Sequence, residues 1–119
     1  MNLEKEAKKF METKNKSTIS AEKYQESAKA TAIYPKKDAL PYLALGLVSE
    51  AGEVAGKVKK KIRDGTSHDV ASEIGDVLWY CAMLATEMNI SLGKIMENNI
   101  EKLYGRKQRG KLQGSGDTR

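Results

Sequence analysis

Four acids define the chemistry open to this chain: Glu50, Glu53, Glu73 and Asp76. They form two short motifs, Glu50-x-x-Glu53 and Glu73-x-x-Asp76, each inside a stretch with the apolar periodicity of an amphipathic helix. A spacing of three residues puts both carboxylates of a pair on one helix face. Two such helices folded back on each other gather four like charges, and such a gathering needs a cation to hold it. An all-oxygen donor set selects a hard ion, Mg2+ or Mn2+. The chemistry this implies is metal-assisted attack on a phosphate. A di-iron carboxylate bundle is excluded, because that site needs Glu-x-x-His motifs and the single histidine, His68, falls in a turn.

The elements that must position these acids are all helical in pattern. Residues 2–14 give a short helix with Leu3, Ala7, Phe10 and Met11 on one stripe. A second helix runs from about Ser20, its N-cap, to Ile33, and Tyr34-Pro35 ends it. Asp38 precedes a long helix over about Ala39 to Arg63, with Pro41 tolerated in its first turn. Its apolar stripe is Leu40, Leu43, Leu47, Val54, Val58 and Ile62, and Gly65 supplies the left-handed stop. Thr66 or Ser67 caps the next helix, about His68 to Met88, with the stripe Val70, Ile74, Val77, Leu78, Cys81, Leu84 and Met88. Asn89 ends it, and Ser91 caps a last helix to about Leu103 or Tyr104 with Leu92, Met96, Ile100 and Leu103 on its apolar face. No strand alternation and no repeat is present. The expected fold is all-α, a four-helix bundle with antiparallel neighbours. The expected organisation is an N-terminal extension or short helix over 1–19, the helical domain over 20–104, and a flexible, basic, glycine-rich tail over 105–119.

An antiparallel hairpin about Asp64-Gly65 brings the two motifs into register. Glu53 and Glu73, and likewise Glu50 and Asp76, are symmetric about Arg63. Helix axes about 8–10 Å apart leave room for one or two ions between facing carboxylates. Gly46, Gly52 and Gly75 lie inside the two helices, each at a cost of about 1 kcal/mol relative to alanine. A close helix approach, or a ligand against the backbone, explains them. Tyr80 follows Asp76 by four residues on the same face and either contacts a ligand or fills the core; Trp79 points elsewhere, to core or interface.

Composition narrows the rest. A length of 119 residues is one domain with a modest core, which oligomerisation would help to close. No apolar run reaches the roughly 20 residues of a membrane span. A single cysteine, Cys81, excludes an internal disulfide and fits a reducing cytoplasm. The net charge of +5 favours anionic partners. It resides in the tail, where Lys102, Arg106, Lys107, Arg109, Lys111 and Arg119 face only Asp117. Those cations lack interleaved aromatics, which argues against nucleic acid as the partner.

At the acidic motifs the chain resembles the MazG-like family of all-α nucleoside triphosphate pyrophosphohydrolases. That signature is Glu-Glu-x-x-Glu followed about twenty residues later by Glu-x-x-Asp. The stretch Gly46-Leu-Val-Ser-Glu-Ala-Gly-Glu-Val54 is similar to its first part, and Glu73-Ile-Gly-Asp-Val-Leu-Trp-Tyr80 to its second. The similarity continues through Asn99-x-x-Lys102 and spans roughly residues 20–119. The leading Glu of the signature is Ser49 here. The resemblance implies Mg2+-dependent hydrolysis of a (deoxy)nucleoside triphosphate to the monophosphate and pyrophosphate. Glu50, Glu53, Glu73 and Asp76 would hold the metal, with Glu50 or Glu53 as general base. It further implies that Asn99, Lys102 and Lys60 contact substrate phosphate, and that the protein is a homodimer or homotetramer. Read from the residues alone, Asn99 interrupts the apolar stripe Met96–Asn99–Leu103 as a buried amide that needs partners. The alternative to substrate contact is an inter-helix tether for Asn99 and a surface charge for Lys102. Lys60 belongs to a run, Lys57, Lys59, Lys60, Lys61 and Arg63, that as a group reads as a solvated face at a helix C-terminus. The tail, with Lys111 and Asp117, is a candidate lid over the triphosphate. The alternatives are a specialised dCTP or dUTP pyrophosphatase, an inactive helical partner protein, which Ser49 allows, and a nucleic-acid-binding module.

Overall fold

The backbone turns four times between Ser20 and the C-terminus, and each turn has a local chemical cause. The computed structural model describes residues 4, 5, 8, 16–66 and 68–119. The helix expected over 2–14 lies outside the described residues, apart from those three positions. Among the described residues all regular structure is helical. Helix α1 is Ala21–Lys29, α2 is Ala39–Asp64, α3 is Val70–Glu87 and α4 is Leu92–Gln108, with a 3-10 turn at Lys36–Asp38.

Ser20 caps α1 as expected, its hydroxyl accepting from the Lys23 amide at 3.1 Å. The helix stops four residues short of Ile33. Thr31 donates its hydroxyl to the Ala28 carbonyl at 2.7 Å, and the amides of Thr31 and Ala32 close tight turns onto Ala28 and Lys29. This early stop lets Tyr34 turn inward and become buried, while its neighbour Ile33 is exposed. The Tyr34 hydroxyl donates to Glu87, and Lys36 pairs with the same carboxylate at 3.1 Å while lying 4.7 Å over the Tyr34 ring. Tyr34 donation, then Lys36, holds the Glu87 carboxyl below its usual range.

Helix α2 ends at Gly65, with φ of 69° and its amide on the Lys61 carbonyl at 2.8 Å. Asp38 precedes α2 but makes no side-chain cap bond. The cap of α3 is Asp69, whose carboxylate accepts from the Ser72 amide at 2.9 Å. That corrects the expectation of Thr66: its hydroxyl is engaged with His68 at 3.0 Å, and Ser67 is outside the described residues. A carboxylate at the N-cap also complements the helix dipole. Asn89, at φ of 57°, ends α3, and Ser91 caps α4. Helix α4 continues to Gln108, past Leu103 and Tyr104, because Arg106 is drawn inward and only 6% exposed.

The α2–α3 hairpin is the most extensive helix contact; α1 packs on α3, and α4 meets α1 and α3 more lightly. Gln25 ties α1 to the α3–α4 turn. Its amide nitrogen donates to Thr86 at 3.1 Å and to the Ile90 carbonyl at 3.0 Å, and its oxygen accepts from the Leu92 amide at 2.8 Å. The core is small: Ala28, Tyr34, Ala39, Leu43, Ala82 and Met83, with Tyr24, Trp79, Tyr80, Leu84 and Leu92 packed against it. Most of the expected apolar stripe positions are not buried in it. Leu40, Val58 and Ile62 on α2, Ile74, Leu78 and Met88 on α3, and Met96, Ile100 and Leu103 on α4 are exposed, Ile62 at 81%. Among the described residues there are too few helices to cover both sides of the central hairpin.

Residues 109–119 are held by arginines bonding to backbone carbonyls. Arg106 reaches the Asp117 carbonyl at 3.0 Å, Arg109 reaches that of Arg119 at 2.7 Å, and the Arg119 guanidinium reaches Lys111, Leu112 and Gly116. The segment is therefore folded back on itself. Among the described residues no helix is long and apolar enough to cross a membrane.

Candidate metal centre and adjoining pocket

The register of the α2–α3 hairpin is visible in three contacts. Gly46 of α2 lies beneath the Tyr80 ring of α3, Glu50 faces Asp76 and Glu73, and Lys57 pairs with Glu73. A Cβ at position 46 would fall inside the Tyr80 ring's envelope, so glycine is what lets the ring lie on the helix backbone. At Gly52 and Gly75 a Cβ would meet nothing within 4 Å. Of the two explanations for these glycines, a close helix approach applies at Gly46 and not at Gly52 or Gly75.

Glu50, Glu73 and Asp76 each present a carboxylate oxygen, and these atoms all lie within 4.8 Å of one another. Glu50 and Glu73 are half-buried and Asp76 is exposed. Partial burial, then the charges of Asp76 and Glu73, push the Glu50 carboxyl above its ordinary value. Glu73 moves the other way, because Lys57 donates to it at 2.9 Å. Lys57 also reaches the Asp69 carbonyl at 3.2 Å, so one ammonium ties the acid site to the cap of α3. It neutralises one of three carboxylates and leaves the cluster short of positive charge. A donor set of three oxygens with this deficit fits a hard divalent cation.

Glu53 is exposed and outside this set, though its charge is felt at Glu50 and Lys57. Lys57, one turn along α2, takes the contact with Glu73 that the hairpin register assigned to Glu53. Ser49, at the position of the absent signature glutamate, is exposed. Tyr80 borders the acids as its spacing implied: Thr31, Glu50, Asp76, Trp79 and Tyr80 line a cavity of about 350 Å³. Burial, then Tyr42, raises the Tyr80 phenol pKa.

Trp79 is therefore not turned away to core or interface alone; it lines this cavity, and its indole N–H donates to Thr31 at 2.8 Å. Sequence spacing contained part of that signal, since residues three and four beyond Asp76 share its face. Thr31 gave no local signal, because it reaches the site only through the packing of α1 on α3. Lys57 was legible only as one member of a lysine run.

Asn99 and Lys102 are exposed on α4 and line a different cavity of about 280 Å³ with Ile95 and Asn98. The single chain does not bring them to the acids. Lys60 is exposed near the end of α2, where its charge helps lower the Asp64 pKa behind the larger effect of Arg63. Lys111 and Asp117 are exposed in the folded-back tail. A larger cavity of about 440 Å³ lies at the α3–α4 turn, among Gln25, Thr86 and Asn89, away from the acids.

An all-α chain with a carboxylate cluster across a helix hairpin defines a class of helical proteins suited to divalent cations. The family model of the MazG nucleotide pyrophosphohydrolase domain matches residues 40–110, which takes in all of α2 but its first residue and the whole of α3 and α4. The chain belongs to the MazG nucleotide pyrophosphohydrolase family. It is also 44% identical over 109 residues to the Gene 37 protein of Mycobacterium phage L5, a match covering 81% of this chain and 96% of that protein. No solved structure matches it significantly.

The glycines give a test of the hairpin geometry. Gly52→Ala, with open space for its Cβ, should stabilise the protein by about 0.5–1 kcal/mol through helix propensity. Gly46→Ala should lower the melting temperature, because it displaces Tyr80. Thermal unfolding of both variants checks this; a stabilised Gly46→Ala would contradict the contact.

Proposed function

We propose that the protein hydrolyses a (deoxy)nucleoside triphosphate to the monophosphate and pyrophosphate, with Mg2+ or Mn2+ held by Glu50, Glu73 and Asp76. The observation that supports this reading most is the juxtaposition of these three carboxylates with an aromatic-lined cavity on one hairpin. When bound, the ion supplies charge neutralisation to the triphosphate and acidity to water. The chain's own residues do the positioning. Lys57 keeps Glu73 ionised and fixed. Glu50, by its place on the cavity wall, doubles as the proton acceptor for the attacking water. Glu53, exposed beside the set, is the alternative base and a fourth ligand candidate. A reducing cytoplasmic setting, with Cys81 as a free thiol, is part of the same reading.

Asn99 and Lys102 enter this proposal through assembly. The exposed apolar positions of α2, α3 and α4 are a surface that a second copy of the chain can cover. We assign Asn99, Lys102 and Lys60 to phosphate contacts in a homodimer or homotetramer. A specialised dCTP or dUTP pyrophosphatase is the narrower form of this reading, favoured by the modest size of the cavity.

Two measurements check these statements. Phosphate release in a coupled pyrophosphatase assay across the common NTPs and dNTPs should show pyrophosphate formed from at least one of them. EDTA should abolish it, and Mg2+ or Mn2+ should restore it; turnover undiminished in chelator would remove the metal site, and none with any nucleotide would favour an inactive partner protein. Light scattering at micromolar protein should give the mass of two or four chains, and a stable monomer would refute the assembly.

A further inference from the structure

Trp79 has an orientation that the acid site alone does not require. Its indole N–H donates to the Thr31 hydroxyl at 2.8 Å, and that hydroxyl in turn donates a hydrogen bond to the Ala28 carbonyl at 2.7 Å. The end of α1 thus sets the rotation of a ring on α3. Two tyrosines flank the same ring. Tyr80 meets it edge-on with centroids 5.0 Å apart and planes at 81°, and buried Tyr34 meets it at 6.4 Å and 84°. Trp79 and Tyr80 therefore form a right-angled aromatic corner, and this corner and Thr31 share a cavity with Glu50 and Asp76. The cavity, about 350 Å³, is at the lower end of the roughly 300–1,000 Å³ usual for small-molecule sites.

We propose that the Trp79–Tyr80 corner receives the nucleobase of the substrate, with Trp79 as the stacking wall and Thr31 as the residue that positions it. The proposal rests on the nucleotide reading above. A substrate has two chemically opposite ends, and so does the cavity. Its acidic side suits cation-bound phosphate, and its aromatic side suits a flat ring that can stack. A base placed against Trp79 keeps its phosphates on the side of Glu50 and Asp76. Thr31 acts through the indole, whose tilt it fixes by accepting the N–H.

The chain has one tryptophan, so its emission reports this corner alone. Wild-type protein with Mg2+ is titrated with nucleoside monophosphates bearing each common base, and with inorganic tripolyphosphate as the base-free control. At least one monophosphate should shift or quench the emission, and tripolyphosphate should not. In kinetics with the best nucleoside triphosphate, Trp79→Leu should raise KM at least about fivefold with little change in kcat, and Trp79→Phe should recover most of the loss. Thr31→Val should raise KM in the same direction, and Thr31→Ser should restore it; a structural role for Thr31 would instead lower the melting temperature without this split. Unchanged KM in both Trp79→Leu and Thr31→Val, or emission that responds to no monophosphate in an active enzyme, would overturn the base site while leaving the hydrolase reading intact. Absence of turnover in the wild type would instead remove the hydrolase reading, and the emission titration would still decide whether a base binds at Trp79.

Discussion

Three carboxylates crowded onto one helix hairpin set the terms for the rest of this structure. Glu50, Glu73 and Asp76 repel one another at the separations observed, and Lys57 offsets only part of that repulsion. The opposed shifts of Glu50 and Glu73 express the same imbalance, the first carboxyl crowded by its neighbours and the second satisfied by an ammonium. A hairpin with freedom to slide would relieve the strain. This one is fixed at both ends of the cluster. The left-handed Gly65 and the Asp69 cap define the turn, and Tyr80 seated on Gly46 locks the register on the far side of the cluster.

The packing around the hairpin is asymmetric. On one side α1 and Tyr34 complete a small core with Leu43, Ala82 and Met83, and this side also delivers Thr31 to Trp79. On the other, apolar residues of α2, α3 and α4 are left in contact with water, Leu45 and Ile62 among the most exposed. The cavity beside the acids takes Thr31 and Trp79 from the first side. The described helices present more apolar face than they bury among themselves.

Much of this was legible in the sequence because it depends on local chemistry. The Ser20 and Ser91 caps, the Gly65 stop and the Asn89 break each act on adjacent backbone, so the central helices stand close to where those residues place them. Symmetry about Arg63 likewise put Glu50 opposite Asp76. What was not legible depends on contacts between distant segments. Asp69 displaced Thr66 as a cap because His68 engages the threonine. Helix α1 shortened because Tyr34 is drawn into the core. Lys57 replaced Glu53 beside Glu73, a choice set by helix rotation that an i, i+3 count does not resolve. Asn99 looked like a buried amide because it interrupts an apolar stripe, but nothing in the described chain covers that stripe.

The central claim is that the hairpin cluster holds a divalent cation through Glu50, Glu73 and Asp76. Isothermal titration of the metal-free protein with Mn2+, repeated on the combined variant Glu50→Gln, Glu73→Gln and Asp76→Asn, addresses it most directly. Wild type should bind the ion with a saturable heat, and the variant should lose that heat while keeping its helical circular dichroism. An equal heat in both proteins, or none in the wild type, would contradict the account.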